Sequence, residues 1–235
     1  MPDVSDTRMK PEFSVEKAHK TQMKLSKRIL FEDKLPRKIR FVGGVDTAYI
    51  RDISIGAAAV LDFPSLKLVE SKVATCKTCF PYIPTLLSFR EVPPSVLAIH
   101  KLSIQPDVFL VDGHGYAHPY RCGFASHLGL VMKNPTIGVA KGKLIGNLEH
   151  SKDNSEVVYI RHKGDIIGAM MTPKPERKPV YVSVGNMVSL ETAIKIVKHC
   201  TMHNRIPEPI RVAHRVAAVE KRKINISTTT QTSSE

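Results

Sequence analysis

VFLVDGHGYAHPYRCGFASHLGLVMKNPTIGVAK, residues 108–141, opens and closes on short apolar runs of the kind that form buried strands. Residues 108–111 and 136–140 are too short for stable helices, and the segment near 121–133 between them has room for one. A strand, helix and strand in succession argue for a parallel portion of sheet covered by helices. The first run ends on Asp112, and Gly113, His114, Gly115 and His118 follow closely. Glycines beside a strand-end carboxylate permit unusual backbone angles and the close approach of a ligand.

Before this unit, Ser14 is placed to cap a helix to about Glu32 with Val15, Ala18, Leu25 and Ile29 inward, and Pro36 closes it off. IRFVGGVDTAYI, SIGAAAVLDF and KLVESKVAT then read as an antiparallel meander. The prolines predict two short helices, near 84–91 and from Pro94 to Leu102. After it, EVVYIRH, DIIGAMM and PVYVSVG read as strands, Ser189 caps a helix through about His203, and Pro209 starts a last helix to about Arg222. The sum is an α/β chain with a mixed sheet flanked by helices. No linker or repeat divides it, so one domain is expected over 1–235, with about 1–12 and 225–235 flexible.

Lys and Arg number 35 against 22 Asp and Glu, a net charge of +13 with a pI near 9.7. Such an excess points to a polyanionic partner, because contacts with phosphates release condensed counterions. No run approaches the roughly 20 apolar residues that span a bilayer, and the first residues lack a secretory signal. Of the four cysteines only Cys76 and Cys79 are closely spaced. One C-x-x-C without nearby histidines is a poor zinc site, so free thiols in a reducing cytoplasm are expected.

Asp46 also follows an apolar strand, and Glu91 stands just before Pro93 and Pro94. If these acids meet Asp112 at one sheet edge, their mutual repulsion requires compensation. A hard divalent cation supplies it, and Mg²⁺ in particular combines few carboxylates with water and phosphate oxygens. Lys141 follows the strand TIGVA, where it can meet a phosphate. His214 lies on one face of the last helix, four after Ile210. Taken singly, each acid also fits a solvated strand end, and His214 a core histidine.

GVDTAY, PYIPTLLSFRE, PDVFLVDGHGYAHPYRCGFASHLGL, PTIGVAKGKLIG, PVYVSVGNMVSLETA and RIPEPIRVAHRVA together resemble endonuclease V, in that family's order, over roughly residues 20–220. The resemblance implies a ribonuclease H-like mixed sheet with helices on both faces. It implies a metal site of Asp46, Glu91 and Asp112, taking Mg²⁺ with Mn²⁺ able to substitute, and catalytic roles for Lys141 and His214. Pro81, Tyr82, Ile83 and Pro84 match the family's wedge. Leu87, Gly113, Gly115, His118, Gly123 and Leu144 match its pocket for a flipped hypoxanthine. The implied activity is hydrolysis of the second phosphodiester bond 3′ to inosine in DNA repair; a monomer suffices for it, and the cytoplasmic setting is the one expected from the thiols. Thr85 and His114 depart from the family's usual glycine and glutamine. An inosine-specific ribonuclease, a structure-selective nuclease of the same fold, and a catalytically silent reader of deaminated bases remain open alternatives.

Overall fold

The computed structural model describes residues 14–150, 157–173, 176–201 and 204–232. Helix α1 (Val15–Ser26) precedes three long antiparallel strands, β1 (Phe41–Ile50), β2 (Ile53–Asp62) and β3 (Leu68–Lys77). Helix α2 (Leu87–Ile99) leads to β4 (Val108–Asp112), α3 (Phe124–Met132) and β5 (Thr136–Ala140). Strands β6 (Asn147–His150), β7 (Val157–His162), β8 (Asp165–Met171) and β9 (Val180–Asn186) follow, and α4 (Leu190–Cys200) and α5 (Glu208–Thr232) end the chain.

All nine strands form one sheet in the order β3-β2-β1-β4-β5-β9-β8-β7-β6. Its centre, β1-β4-β5, is parallel, as the strand–helix–strand reading of residues 108–141 requires. The flanks are antiparallel. Alternate residues of β4 serve opposite faces. Val108 and Leu110 pack with Ile196, Val197, Ile210 and Ala213 of α4 and α5. Phe109 and Val111 pack with Val92, Ile99, Phe124 and Leu128 of α2 and α3. A strand covered on both sides has no use for polar alternation, and each such side chain removed from water contributes about 1.5–3 kcal/mol. Helices on both faces of this mixed sheet make the fold ribonuclease H-like.

Several boundaries differ from expectation. Ser14 does cap α1, accepting from the Lys17 N–H, but the helix stops at Ser26. Val15 is 41% exposed, and Gln22 is wholly buried beside Ala18. The two short helices expected around the prolines are one helix, α2, which runs through Pro93 and Pro94. The prolines deprive the carbonyls of Phe89 and Arg90 of their helical donors. Burial of Val92, Pro94, Ser95, Ala98 and Ile99 offsets that loss. Gly56 lets the helix lie on β2, since a Cβ there would fall 2.0 Å from the Pro94 carbonyl oxygen. Strand β6 is short, polar and exposed, and had no apolar signal. Ser189 caps α4 as expected, although His203, its expected end, lies outside the described residues. Helix α5 continues past Arg222. Among the described residues no helix is long and apolar enough to cross a membrane, and all four cysteines are free.

Candidate active site

Val45 of β1 pairs with Val111 of β4 in parallel register, which makes Asp46 and Asp112 the next residues on neighbouring strands. Asp112 ends β4, and the carboxyl ends of parallel strands are where open α/β sheets bind ligands; Asp46 instead lies inside β1, which runs on to Ile50 against β2. Lys141 directly follows β5, the strand beyond β4, and its Nζ donates to Asp112 Oδ2 at 2.6 Å. Across β1, His214 Nδ1 lies 2.7 Å from Asp46 Oδ2. Gly44 sets that distance: a Cβ at Gly44 would fall 2.0 Å from the carbonyl oxygen of Pro209, so only glycine lets α5 lie on β1 at this level.

Glu91 arrives from the opposite face of the sheet. It is 8% exposed, and its Oε1 accepts from Thr47 Oγ1 at 3.0 Å. Its Oε2 is buried without a hydrogen-bond partner. Burial pushes the Glu91 carboxyl up to about 8, with the charges of Asp46 and Asp112 adding to the shift against the Thr47 bond. Burial also raises Asp46, helped by the Asp112 charge and opposed by His214. A buried carboxyl with an orphaned oxygen, next to two further acids, fits a divalent cation, whose charge would favour its ionised form. Among the described residues no group of three His, Cys, Asp or Glu side chains stands close enough together to hold a metal ion as placed. Lys141, His214 and Thr47 each engage one of the acids instead. A divalent cation held there would have to take most of its shell from water and phosphate oxygen.

A cavity of about 200 Å³ adjoins this edge, walled by Tyr82, Ile83 and Pro84, by Leu87 and Ser88 of α2, and by His118, Gly123 and Leu144 among others. Tyr82 is 67% exposed. Thr85 holds a left-handed backbone with φ of +72°, which is costly for a β-branched residue. Three side chains brace it. His19 Nε2 lies 3.0 Å from its Oγ1, Gln22 donates to its carbonyl at 2.8 Å, and the His118 ring bonds to its main chain. Burial pulls His118 down to about 4, so the ring is neutral; its Nδ1 accepts from the Tyr120 N–H. Ser88 Oγ lies 3.1 Å from Nδ1 of His127, which burial likewise lowers to about 4.

The family model for Endonuclease V matches residues 23–215. The chain belongs to the endonuclease V family. Endonuclease V of Thermofilum pendens is 42% identical over 216 residues, covering 92% of each protein. The crystal structure of endonuclease V from Streptomyces avermitilis superposes with a TM-score of 0.83 at 34% identity, over 90% of this chain and 95% of that one. That of Ciona intestinalis endonuclease V, in complex with a 24mer DNA containing an inosine followed by a ribo-adenosine, gives 0.80 at 33% identity, over 89% and 98%. Family membership makes the chain a nuclease.

Asp46, Glu91, Asp112, Lys141 and His214 therefore come together at one edge, and Leu87, His118, Gly123 and Leu144 at the cavity, with Tyr82, Ile83 and Pro84. Pro81 does not line the cavity, and neither do Gly113 and Gly115. The main chains of those two glycines bond elsewhere, and a Cβ on Gly113 would crowd the Phe124 ring of α3. The Gly113 N–H donates to the Val139 carbonyl and the Gly115 N–H to Ser183 Oγ, and a Cβ on Gly115 would fall 2.1 Å from the Val184 carbonyl oxygen. Sequence reasoning missed Thr47, Ser88, His127 and the His19–Gln22 brace. The signal for Ser88 was its position one residue after Leu87; the others had none, since their partners lie far away in the chain.

Proposed function

We propose that the chain is a Mg²⁺-dependent endonuclease that takes an inosine base into the cavity beside Tyr82 and hydrolyses the second phosphodiester bond on its 3′ side. One observation carries this reading: cavity and acidic edge share two segments. Leu87 and Glu91 stand one turn apart on α2, about 6 Å along its axis. Asp112 is followed within six residues by His114 and His118, both cavity walls. A flipped base in the cavity therefore brings its own backbone to the acids.

Tyr82, exposed in a frame of prolines, is suited to fill the gap left in the stack, since its ring has little conformational entropy to lose. Asp46, Asp112 and Glu91 would hold the cation. Bound there, a divalent cation supplies charge stabilisation for the phosphoryl oxygens and a lowered pKa for a water molecule. His214, oriented by Asp46, accepts a proton from the attacking water, and Lys141 balances the phosphate charge. Water oxygen bonds to phosphorus and the P–O3′ bond breaks, leaving a 3′-hydroxyl and a 5′-phosphate. Four free thiols fit a cytoplasmic setting, and the site needs no second subunit.

A second reading, an inosine-specific ribonuclease, is favoured by one observation: the DNA bound to the Ciona relative carried a ribose directly after inosine. Protein and Mg²⁺ on labelled DNA and RNA strands with a single inosine, beside adenine controls, test both. A nick one nucleotide beyond inosine is expected, and the faster strand identifies the sugar. Cutting that ignores inosine would remove the base pocket from the reading, and binding without a nick would remove catalysis.

A further inference from the structure

Helix α5 carries basic side chains that hydrolysis leaves unused. Arg211, Arg215, Ala218, Arg222 and Asn225 recur every three or four residues and so share one face of the helix. Two hollows lie along that face. The first reaches from Asp112 and Lys141 to Arg222, the second from Ala218 to Asn225, and both have Ala218 and Arg222 as walls. They make one trough leading away from the acids. Its near end is largely neutralised, because Arg211 and Arg215 pair with Glu208 and Lys141 with Asp112. At the far end Lys221 and Arg222 are exposed and have no carboxylate partner among the described residues; the adjacent Glu220 is taken by Lys223. Past Ala217 no described side chain of the helix is buried, so packing does not explain these residues. They also lie beyond residue 215, where the match to the family model ends.

We infer that the trough along α5 is a rail for the phosphate backbone of the bound nucleic acid, with Arg222 and Lys221 contacting phosphates several nucleotides from the bond that is cut. This rests on the nuclease reading above. From Arg211 to Asn225 the helix covers about 21 Å, the axial length of roughly six nucleotides of one strand. Charge complementarity selects the occupant: the trough leaves a catalytic edge that already handles a phosphodiester, and its unpaired groups are cations.

The test measures binding of the full chain to an inosine-containing duplex by fluorescence anisotropy, in chelator and across a salt series. Arg222→Ala should lower the slope of log K against log salt by about 0.9, and Lys221→Ala with Arg222→Ala by about 1.8. Lys195→Ala, which removes one exposed charge from α4, should leave it unchanged. Trimming the duplex close to inosine on the side that the rail serves should abolish the Arg222→Ala effect. A wild-type slope in Arg222→Ala, or an equal loss in Lys195→Ala, overturns the rail. Equal binding of an adenine duplex, with the slope still reduced in Arg222→Ala, would sink the base-specific reading and leave the rail standing.

Discussion

The acidic edge and the cavity beside Tyr82 adjoin, yet they are held in different ways. Asp46 and Asp112 stand on central strands whose register is fixed by hydrogen bonds on both sides, and His214 is set by a helix that touches β1 at a glycine. The cavity is walled largely by loops, and its most constrained residue, Thr85, keeps a strained backbone only because His19, Gln22 and His118 hold it. Chemistry that depends on sub-ångström placement sits on the stiff part of the molecule. In the function proposed, recognition, which has to admit a base pulled from its stack, falls where the chain can give.

That contrast predicts that mutations at the edge abolish turnover and spare recognition, while mutations at the cavity do the reverse. Asp112→Asn should lower the cleavage rate on the order of 10³-fold, with binding of inosine strands retained; a loss of binding in parallel would show that the two regions are not separable. Gly44→Ala drives a methyl into the Pro209 carbonyl. It should cost 1–3 kcal/mol or more of stability, roughly, and lower turnover about 100-fold by shifting His214. Wild-type turnover in that variant would mean that Asp46 does not need His214 where the structure places it. Leu87→Ala should leave cleavage of the best substrate measurable and cut the preference for inosine over adenine by about 10-fold. An unchanged preference would remove the cavity wall from recognition.

The smallest effect is on acid stability. His127 stays neutral in the fold down to about 4 from an ordinary 6.5. Between those values only the unfolded chain takes up the proton, so its contribution is intact above about 6.5 and is lost as pH falls towards 4. His118 behaves alike. His127→Gln should therefore weaken the acid dependence of the urea midpoint over that window by roughly half of what these two histidines contribute. An undiminished dependence would mean that His127 is protonated in the fold.

What the sequence reveals follows the same division. Burial of β4 on both faces writes itself as an uninterrupted apolar run, and the acids that end such runs are visible because a carboxylate there is out of place. The caps Ser14 and Ser189 are local and legible for that reason. Long-range effects are not. Nothing near Pro93 and Pro94 says that β2 offers a glycine for the helix to rest on, so the prolines read as an interruption. Thr47 and Glu91 are far apart in the chain, and their bond exists only because helix and sheet meet. The sequence reads Gly113 and Gly115 as room for a ligand, whereas a Cβ on Gly115 would strike β9 and one on Gly113 would crowd Phe124 of α3, neighbours that no local pattern names.

The cysteines have a practical consequence for the proposed wedge. Burial pushes the Cys122 and Cys200 thiols up to about 12 and raises Cys76, so these three are poor nucleophiles at neutral pH. Cys79 is exposed and stands three residues before Tyr82. Alkylation at neutral pH will thus mark one thiol ahead of the others, at the base of the segment expected to enter the duplex. The native chain carries its own attachment point for a fluorophore with which to time base insertion.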